Sequence, residues 1–349
     1  MGHPVSILAL ATANPPHIVE QAEALAVARA VLGGQFADFE RMSAVFASAG
    51  IARRQLARPL DWYRTPRSFP EKTQAYLQVA CDLFVEAASK ALEEAGIAAV
   101  EVDTIVTVSS TGIATPSLEA QVMGRMGFRA DVARVPVFGL GCAGGATGLG
   151  LAAKLARATP QSVVLMVTVE LCSLSFRTAA IGKADMISTA LFGDGAAACV
   201  LRGGEGGFAQ VTGSGETLWP ETLDIMGWQM EETGLAVVLN RAIPAFARDN
   251  LRGGMADILA RQDLALGDIG RLICHPGGAR VVDAIERALD LGQGTLDVER
   301  DVLRDHGNMS APTALFVLDR LRHKGLAKRS VLAALGPGFT LSTVTLEAA

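Results

Sequence analysis

A charge-free run from Val135 to Ala153, holding six glycines and one proline, constrains this chain more than any other stretch. It begins with the β-branched, apolar Val135-Pro-Val-Phe138, passes a Gly-rich turn and continues from Ala143 as an Ala/Leu-rich segment. That order reads as a buried strand, a tight turn and a helix running to about Ala158. Length alone would let the run span a membrane, but the glycines and Pro136 speak for strand, turn and helix instead, so no stable membrane insertion is expected. Cys142 stands at the turn. The first turn of a helix leaves backbone N–H groups unpaired and carries the positive end of the dipole, which would draw a thiol toward thiolate. Cys142 is therefore a candidate nucleophile, expected to titrate below the free-thiol value of about 8.5. Gly139-Leu-Gly141-Cys-Ala-Gly144 also fits a G-x-G-x-x-G dinucleotide fingerprint, with Glu170 as a ribose-binding acid, and both readings stand at this point.

With 349 residues the chain has room for two domains or one large duplicated one. Half of it is hydrophobic while only 5% is aromatic, which suits Ala/Val/Leu/Gly-rich α/β layers. A net charge of −5 argues against general nucleic-acid binding. An anionic small substrate would then need a local basic patch, for which Arg41, Arg53 and Arg54 are candidates. Cys81, Cys142, Cys172, Cys199 and Cys274 form no C-x-x-C pair and no disulfide framework, so a reducing cytoplasm is expected. The opening Met1-Gly-His-Pro-Val-Ser6 formally fits a myristoylation pattern, but Val5–Ala11 reads equally well as a strand and no basic segment precedes it; neither acylation nor secretion is expected.

Strand-like runs at Ser6–Ala11, Thr104–Ser109, Ala133–Phe138 and Ser162–Glu170 alternate with helix-like ones near Ala75–Ala95 and after Cys142. This alternation predicts an α/β architecture. The pattern then repeats. A helix ending near Gly96 passes through an acidic connector into Thr104-Ile-Val-Thr-Val, and Leu264-Ala-Leu-Gly-Asp268 feeds Ile269–Cys274 in the same way. Val163–Val169 and Ala196–Leu201 find counterparts in Ser330–Leu335 and Ser342–Leu346. The glycines of Gly203–Gly207 divide the chain into halves 1–207 and 208–349, and a site between such halves needs a chemical group from each.

The second half offers His275, at a strand end in His275-Pro-Gly-Gly278, and Asn308, just before a helix over Ala311–Arg322. His3 and His17 belong to early loops, His306 to a turn and His323 to a basic helix end, which leaves His275 as the best base. Taken singly, His275 reads as structural and Asn308 as a helix cap. Together with Cys142 they form a Cys/His/Asn set.

Gly141-Cys142-Ala-Gly-Gly, His275-Pro-Gly-Gly and Gly307-Asn308-Met-Ser together resemble the active-site signatures of type III polyketide synthases, the chalcone and stilbene synthase family. Ala11-Thr-Ala-Asn-Pro15, Leu191-Phe192-Gly-Asp-Gly195 and Gly336-Pro337-Gly338 extend the likeness along almost the whole chain. The resemblance implies a duplicated thiolase-like fold layered αβαβα, a homodimer, no metal, no bound cofactor, and acyl-CoA starter and malonyl-CoA as substrates. It implies Cys142, His275 and Asn308 as catalytic residues, with Gly277, Gly278, Gly336, Pro337 and Gly338 along the substrate path. Phe192 matches a phenylalanine at the junction of coenzyme A tunnel and cavity, while the second gate phenylalanine aligns with Val237. Two cavity threonines of the plant enzymes match Cys172 and Ser175, and Arg41 matches a coenzyme A contact. Asp224-Ile-Met-Gly-Trp228 resembles bacterial members that make alkylpyrones or alkylresorcinols from fatty acyl starters. Initiating ketoacyl-acyl-carrier-protein synthases share the triad and fold, but their histidine precedes Gln-Ala-Asn where this chain has Pro276-Gly277-Gly278. A noncatalytic acyl-binding scaffold of the same fold is the reading from another class, opposed by retention of all three residues.

Overall fold

The computed structural model describes residues 4–159, 161–178, 181–232 and 234–349; the start of the myristoylation pattern, with His3, lies outside them. The first half runs β1 (Val5–Ala13), β2 (His17–Glu20), α1 (Gln21–Leu32), α2 (Phe39–Ser48), β3 (Arg53–Leu56), α3 (Phe69–Ala95), β4 (Thr104–Val108), α4 (Leu118–Met126) and β5 (Ala133–Val137). It continues through α5 (Gly144–Ala158), β6 (Val163–Leu171), α6 (Lys183–Leu191) and β7 (Asp194–Gly203). The second half adds β8 (Ala209–Leu218), β9 (Met226–Glu231), β10 (Gly234–Leu239), α7 (Ile243–Ala260), β11 (Arg271–Cys274) and α8 (Ala279–Ala288). It closes with α9 (Asp297–His306), α10 (Pro312–Arg322), β12 (Arg329–Gly336) and β13 (Thr340–Ala348).

Successive side chains of a strand point to opposite faces, so strands buried on both faces define layers. On β6, Val164 and Met166 enter one apolar cluster and Leu165, Val167 and Val169 another. On β12, Leu332 and Ala334 join that same first cluster, whereas Val331, Ala333 and Leu335 enter a third. The shared cluster is filled by α5 and α10, which therefore lie between two half-sheets; α3 covers the outer face of one, and α7 with α8 covers the other. The layering is αβαβα, as the resemblance implied.

The half-sheets repeat one pairing scheme. β4 runs parallel to β6, with β7 and β1 following antiparallel; β11 runs parallel to β12, with β13 and β8 following antiparallel. They meet where Ser6 pairs with Gln210 and Ile7 with Ala209, giving a nine-stranded order β11-β12-β13-β8-β1-β7-β6-β4-β5. The acidic connectors correspond in atomic detail, for Glu101 accepts the Ala98 N–H at 2.8 Å and Asp268 accepts that of Ala265 at 2.8 Å.

Several local expectations are corrected. α3 begins at Phe69, because Ser68 and Glu71 form a reciprocal capping box ahead of the apolar pattern. His17 opens β2, and His306 ends α9 instead of lying in a turn. The Val135–Ala153 run resolves into β5, a short 3₁₀ turn at Gly141–Ala143 and the start of α5. No helix among the described residues is long and apolar enough to cross a membrane.

Candidate active site

Cys142 sits on the turn entering α5, and two separate contacts hold that turn. The Ser110 hydroxyl accepts the N–H groups of Gly139 and Gly141, both at 3.2 Å. Those are amides that a dinucleotide loop would direct at phosphate, and here they are already paired. Glu170, fully buried, accepts the Ser110 N–H with both carboxylate oxygens and the Thr111 hydroxyl at 2.7 Å. It is thus a brace for the cysteine turn and not a ribose ligand; burial pushes its carboxyl up to about 8.

His275 and Asn308 arrive from the second half. β11 ends immediately before His275, whose N–H donates to the Ala333 carbonyl at 2.9 Å. Neither ring nitrogen has a hydrogen-bond partner among the described residues, and both are buried. The Asn308 amide is oriented by its neighbours: Oδ1 accepts the Ser310 N–H at 2.8 Å, and Nδ2 donates to the Gly277 carbonyl at 3.2 Å. Its donor end therefore turns toward Cys142, whose sulfur has the Asn308 amide and the Ser310 hydroxyl as hydrogen-bonding neighbours. Cys142, His275 and Asn308 all line one cavity of about 460 Å³.

Burial overrides the helix dipole here. It pushes the Cys142 thiol up to about 11 and the His275 imidazole down to about 4, so desolvation favours the neutral forms of both and opposes the lowering that the helix start alone would give Cys142. A neutral imidazole beside a thiol can still take its proton as sulfur attacks a carbonyl, and the Asn308 amide can donate to a developing oxyanion.

The remaining candidates divide. Phe192, Cys172, Val237, Gly277, Gly278, Pro337 and Arg41 line the cavity, with Arg41 exposed and bound to Asp38 at 2.5 Å. Ser175 does not; it lines a smaller pocket of about 60 Å³ that shares Cys172 and Phe192 as its wall with the main cavity. Gly336 and Gly338 also stay outside the lining. Gly336 instead lets β12 approach the cysteine turn, since a Cβ there would fall 2.6 Å from that of Ala143. Arg54 belongs to no anion-binding surface, being only 2% exposed, with its guanidinium on the Phe192 carbonyl.

Other lining residues escaped the sequence reading. Ser310 was visible only as the end of the Asn308 motif. Trp228 lies across the β9–β10 hairpin from Val237, its ring 6.0 Å from that of Phe192. The aromatic partner of Phe192 thus comes from the neighbouring strand, a substitution that only strand register reveals. Arg241 and Arg280 join Arg41 on the lining.

A five-layered duplicated fold with a cysteine at a buried helix start and a histidine and an asparagine from the second half defines a condensing acyltransferase of thiolase-like architecture. Profiles for the N-terminal and C-terminal domains of chalcone and stilbene synthases match residues 65–205 and 210–349. A 1,3,6,8-tetrahydroxynaphthalene synthase of Streptomyces peucetius subsp. caesius is 39% identical over 98% of this chain and 93% of its own. A putative chalcone synthase of Bacillus subtilis is 35% identical over 96% of each chain. The crystal structure of the tetrahydroxynaphthalene synthase from Streptomyces coelicolor A3(2), a bacterial type III polyketide synthase, superposes with a TM-score of 0.92 at 26% identity, covering 98% of this chain and 99% of that one. This chain belongs to the chalcone and stilbene synthase family and is a type III polyketide synthase, an acyltransferase that works by decarboxylative Claisen condensation.

That preference for neutral forms has a measurable signature. Iodoacetamide should label Cys142 at a rate that keeps rising, roughly tenfold per pH unit, as pH increases from 7 to 9. A rate already level below pH 8 would instead reveal a preformed thiolate, and preferential labelling of Cys172 or Cys274 would overturn the choice of nucleophile.

Proposed function

We propose that this protein loads an acyl-CoA starter onto Cys142, extends it with malonyl-CoA and cyclises the product. The observation that carries this reading is the convergence of Cys142, His275 and the donor end of Asn308 on one largely apolar cavity. His275 takes the thiol proton while sulfur attacks the starter thioester, then returns it to the departing coenzyme A. Malonyl-CoA next loses carbon dioxide, and the electron pair left behind forms an enolate. Its oxygen is held by an imidazole N–H and by Asn308 Nδ2. The enolate carbon attacks the acyl thioester and expels Cys142. Arg41, Arg241 and Arg280 supply cationic groups for the coenzyme A phosphates.

For the starter we propose a medium- or long-chain fatty acyl group, and for the product an alkylpyrone or alkylresorcinol. Met42, Val45, Ile187, Leu191 and Val237 offer apolar surface to a tail inside the main cavity. A malonyl starter leading to tetrahydroxynaphthalene is the second reading, favoured by the 39% identical relative. We further propose a cytoplasmic homodimer, divided internally near residues 207 and 208. The free state of all five cysteines supports the compartment. Exposed Ile113 and Phe138, next to the edge strand β5, support the dimer, because exposed large apolar side chains near a sheet edge favour burial against a second copy.

His275→Ala should impair both starter loading and malonyl-CoA decarboxylation. Asn308→Ala should leave loading intact and slow decarboxylation by about 10²- to 10³-fold, the usual cost of losing an oxyanion donor. Normal decarboxylation by Asn308→Ala would reduce Asn308 to a structural cap. Measured kcat/KM should climb along a C2 to C16 acyl-CoA series, since each buried CH₂ contributes about 0.8 kcal/mol. Cys172→Phe should shift the optimum toward short starters, whereas a wild-type optimum at malonyl or acetyl would remove the fatty acyl proposal and leave the synthase intact. Sedimentation velocity should find a dimer that Phe138→Glu weakens; an unaffected dimer would exclude the β5 edge as its contact.

A further inference from the structure

Arg54 is the largest of the fully buried side chains and takes no part in the chemistry above. It points from β3 at a junction that the site depends on. Asn308 donates its N–H to the Leu191 carbonyl at 2.8 Å, and its own carbonyl accepts the Gly193 N–H at 3.0 Å. Between these two contacts lies Phe192, whose N–H is used by the Ser188 carbonyl at 2.8 Å and whose carbonyl accepts Arg54 Nη1 at 3.1 Å. The Phe192 carbonyl and the Gly193 N–H belong to one planar peptide unit, so fixing one end fixes the other. That plane follows a bulky ring and precedes a glycine, which offers little steric resistance to rotation. Gly193 cannot readily be anything larger, because a Cβ there would collide with the His306 carbonyl oxygen.

We propose that Arg54 is a positioning residue that locks the Phe192–Gly193 peptide plane and thereby sets both Asn308 and the Phe192 ring. Its charge is balanced inside the protein. Asp194 lies near enough for each group to stabilise the other's charged form, and it accepts the N–H groups of Ala57 at 2.6 Å and Ser173 at 2.8 Å. Arg54 thus feels the Asp194 charge without a direct ion pair, its Nε is buried without a partner among the described residues, and its one side-chain hydrogen bond is the Nη1 donor on the Phe192 carbonyl. The carbonyl it holds would otherwise be buried without a partner, and a turned plane would free the Asn308 carbonyl as well. The kinetic consequence rests on the condensation chemistry proposed above, whereas the structural consequence does not.

The test compares wild-type protein with Arg54→Lys and with the double variant Arg54→Met/Asp194→Asn. The double variant removes both buried charges together, so neither is left unpaired. Hydrogen exchange at the Gly193 and Asn308 amides should accelerate by roughly tenfold or more in the double variant. Decarboxylation of malonyl-CoA should fall by about 10- to 100-fold, the scale of a small misplacement of a catalytic group. Intact-mass measurement of acyl loading on Cys142 should stay near the wild-type rate, and Arg54→Lys should recover part of both losses. Unchanged exchange in the folded double variant would overturn the assignment, as would equal losses of loading and decarboxylation. Wild-type protein that neither loads acyl groups nor decarboxylates malonyl-CoA would sink the proposed substrates, while the exchange comparison would still decide the role of Arg54.

Discussion

The insertion of α5 between two half-sheets is the constraint on which the rest depends. A helix whose first turn is buried must have the polar groups of that turn answered locally, and the apolar face of α5 that follows must find apolar neighbours. Ser110 answers the turn from the first half, and Glu170 fixes Ser110 from beneath. Gly336 closes the gap from the second half. Cys142 therefore stands where two halves meet, and the residues that line the cavity with it can come from the far half without any long loop.

Burial gives that placement a second consequence. A desolvated cysteine and a desolvated histidine each favour their neutral forms, so the helix dipole does not by itself yield a resting thiolate. Beside them, the Ser310 N–H holds the Asn308 amide in one orientation.

The strand–turn–helix at Cys142, the repeated connectors and the candidate triad could all be read from the chain, because each rests on local spacing or on a contiguous motif. The layering came from the family resemblance, and the structure bears it out in β6 and β12, which are buried on both faces. What escaped depended on pairing across the chain. The role of Trp228 follows from its register opposite Val237, and the burial of Arg54 follows from β3 docking beside the Phe192 loop. As sequence, Arg53-Arg54 is a basic pair on a polar stretch; only the fold turns one arginine outward and the other into the core. Ser175 was misplaced for a similar reason: the 3₁₀ turn at Cys172–Ser175 leaves Cys172 on the cavity wall and turns Ser175 into the adjoining pocket.

The candidate triad and the outer cavity wall are thus carried by different kinds of structure. Cys142 and His275 lie at the ends of elements packed into the central layers, so their separation is set by the whole fold. Phe192, Trp228 and Val237 lie on a helix exit and a two-stranded hairpin outside the large sheet. A change of side chain there alters the cavity without disturbing the layers behind it. The exception is the Leu191–Gly193 segment, which carries the Phe192 ring on one side and pairs with Asn308 on the other. Any substitution that moves this segment to reshape the cavity also moves Asn308, and that coupling limits how far the cavity can change while Asn308 keeps its place beside Cys142.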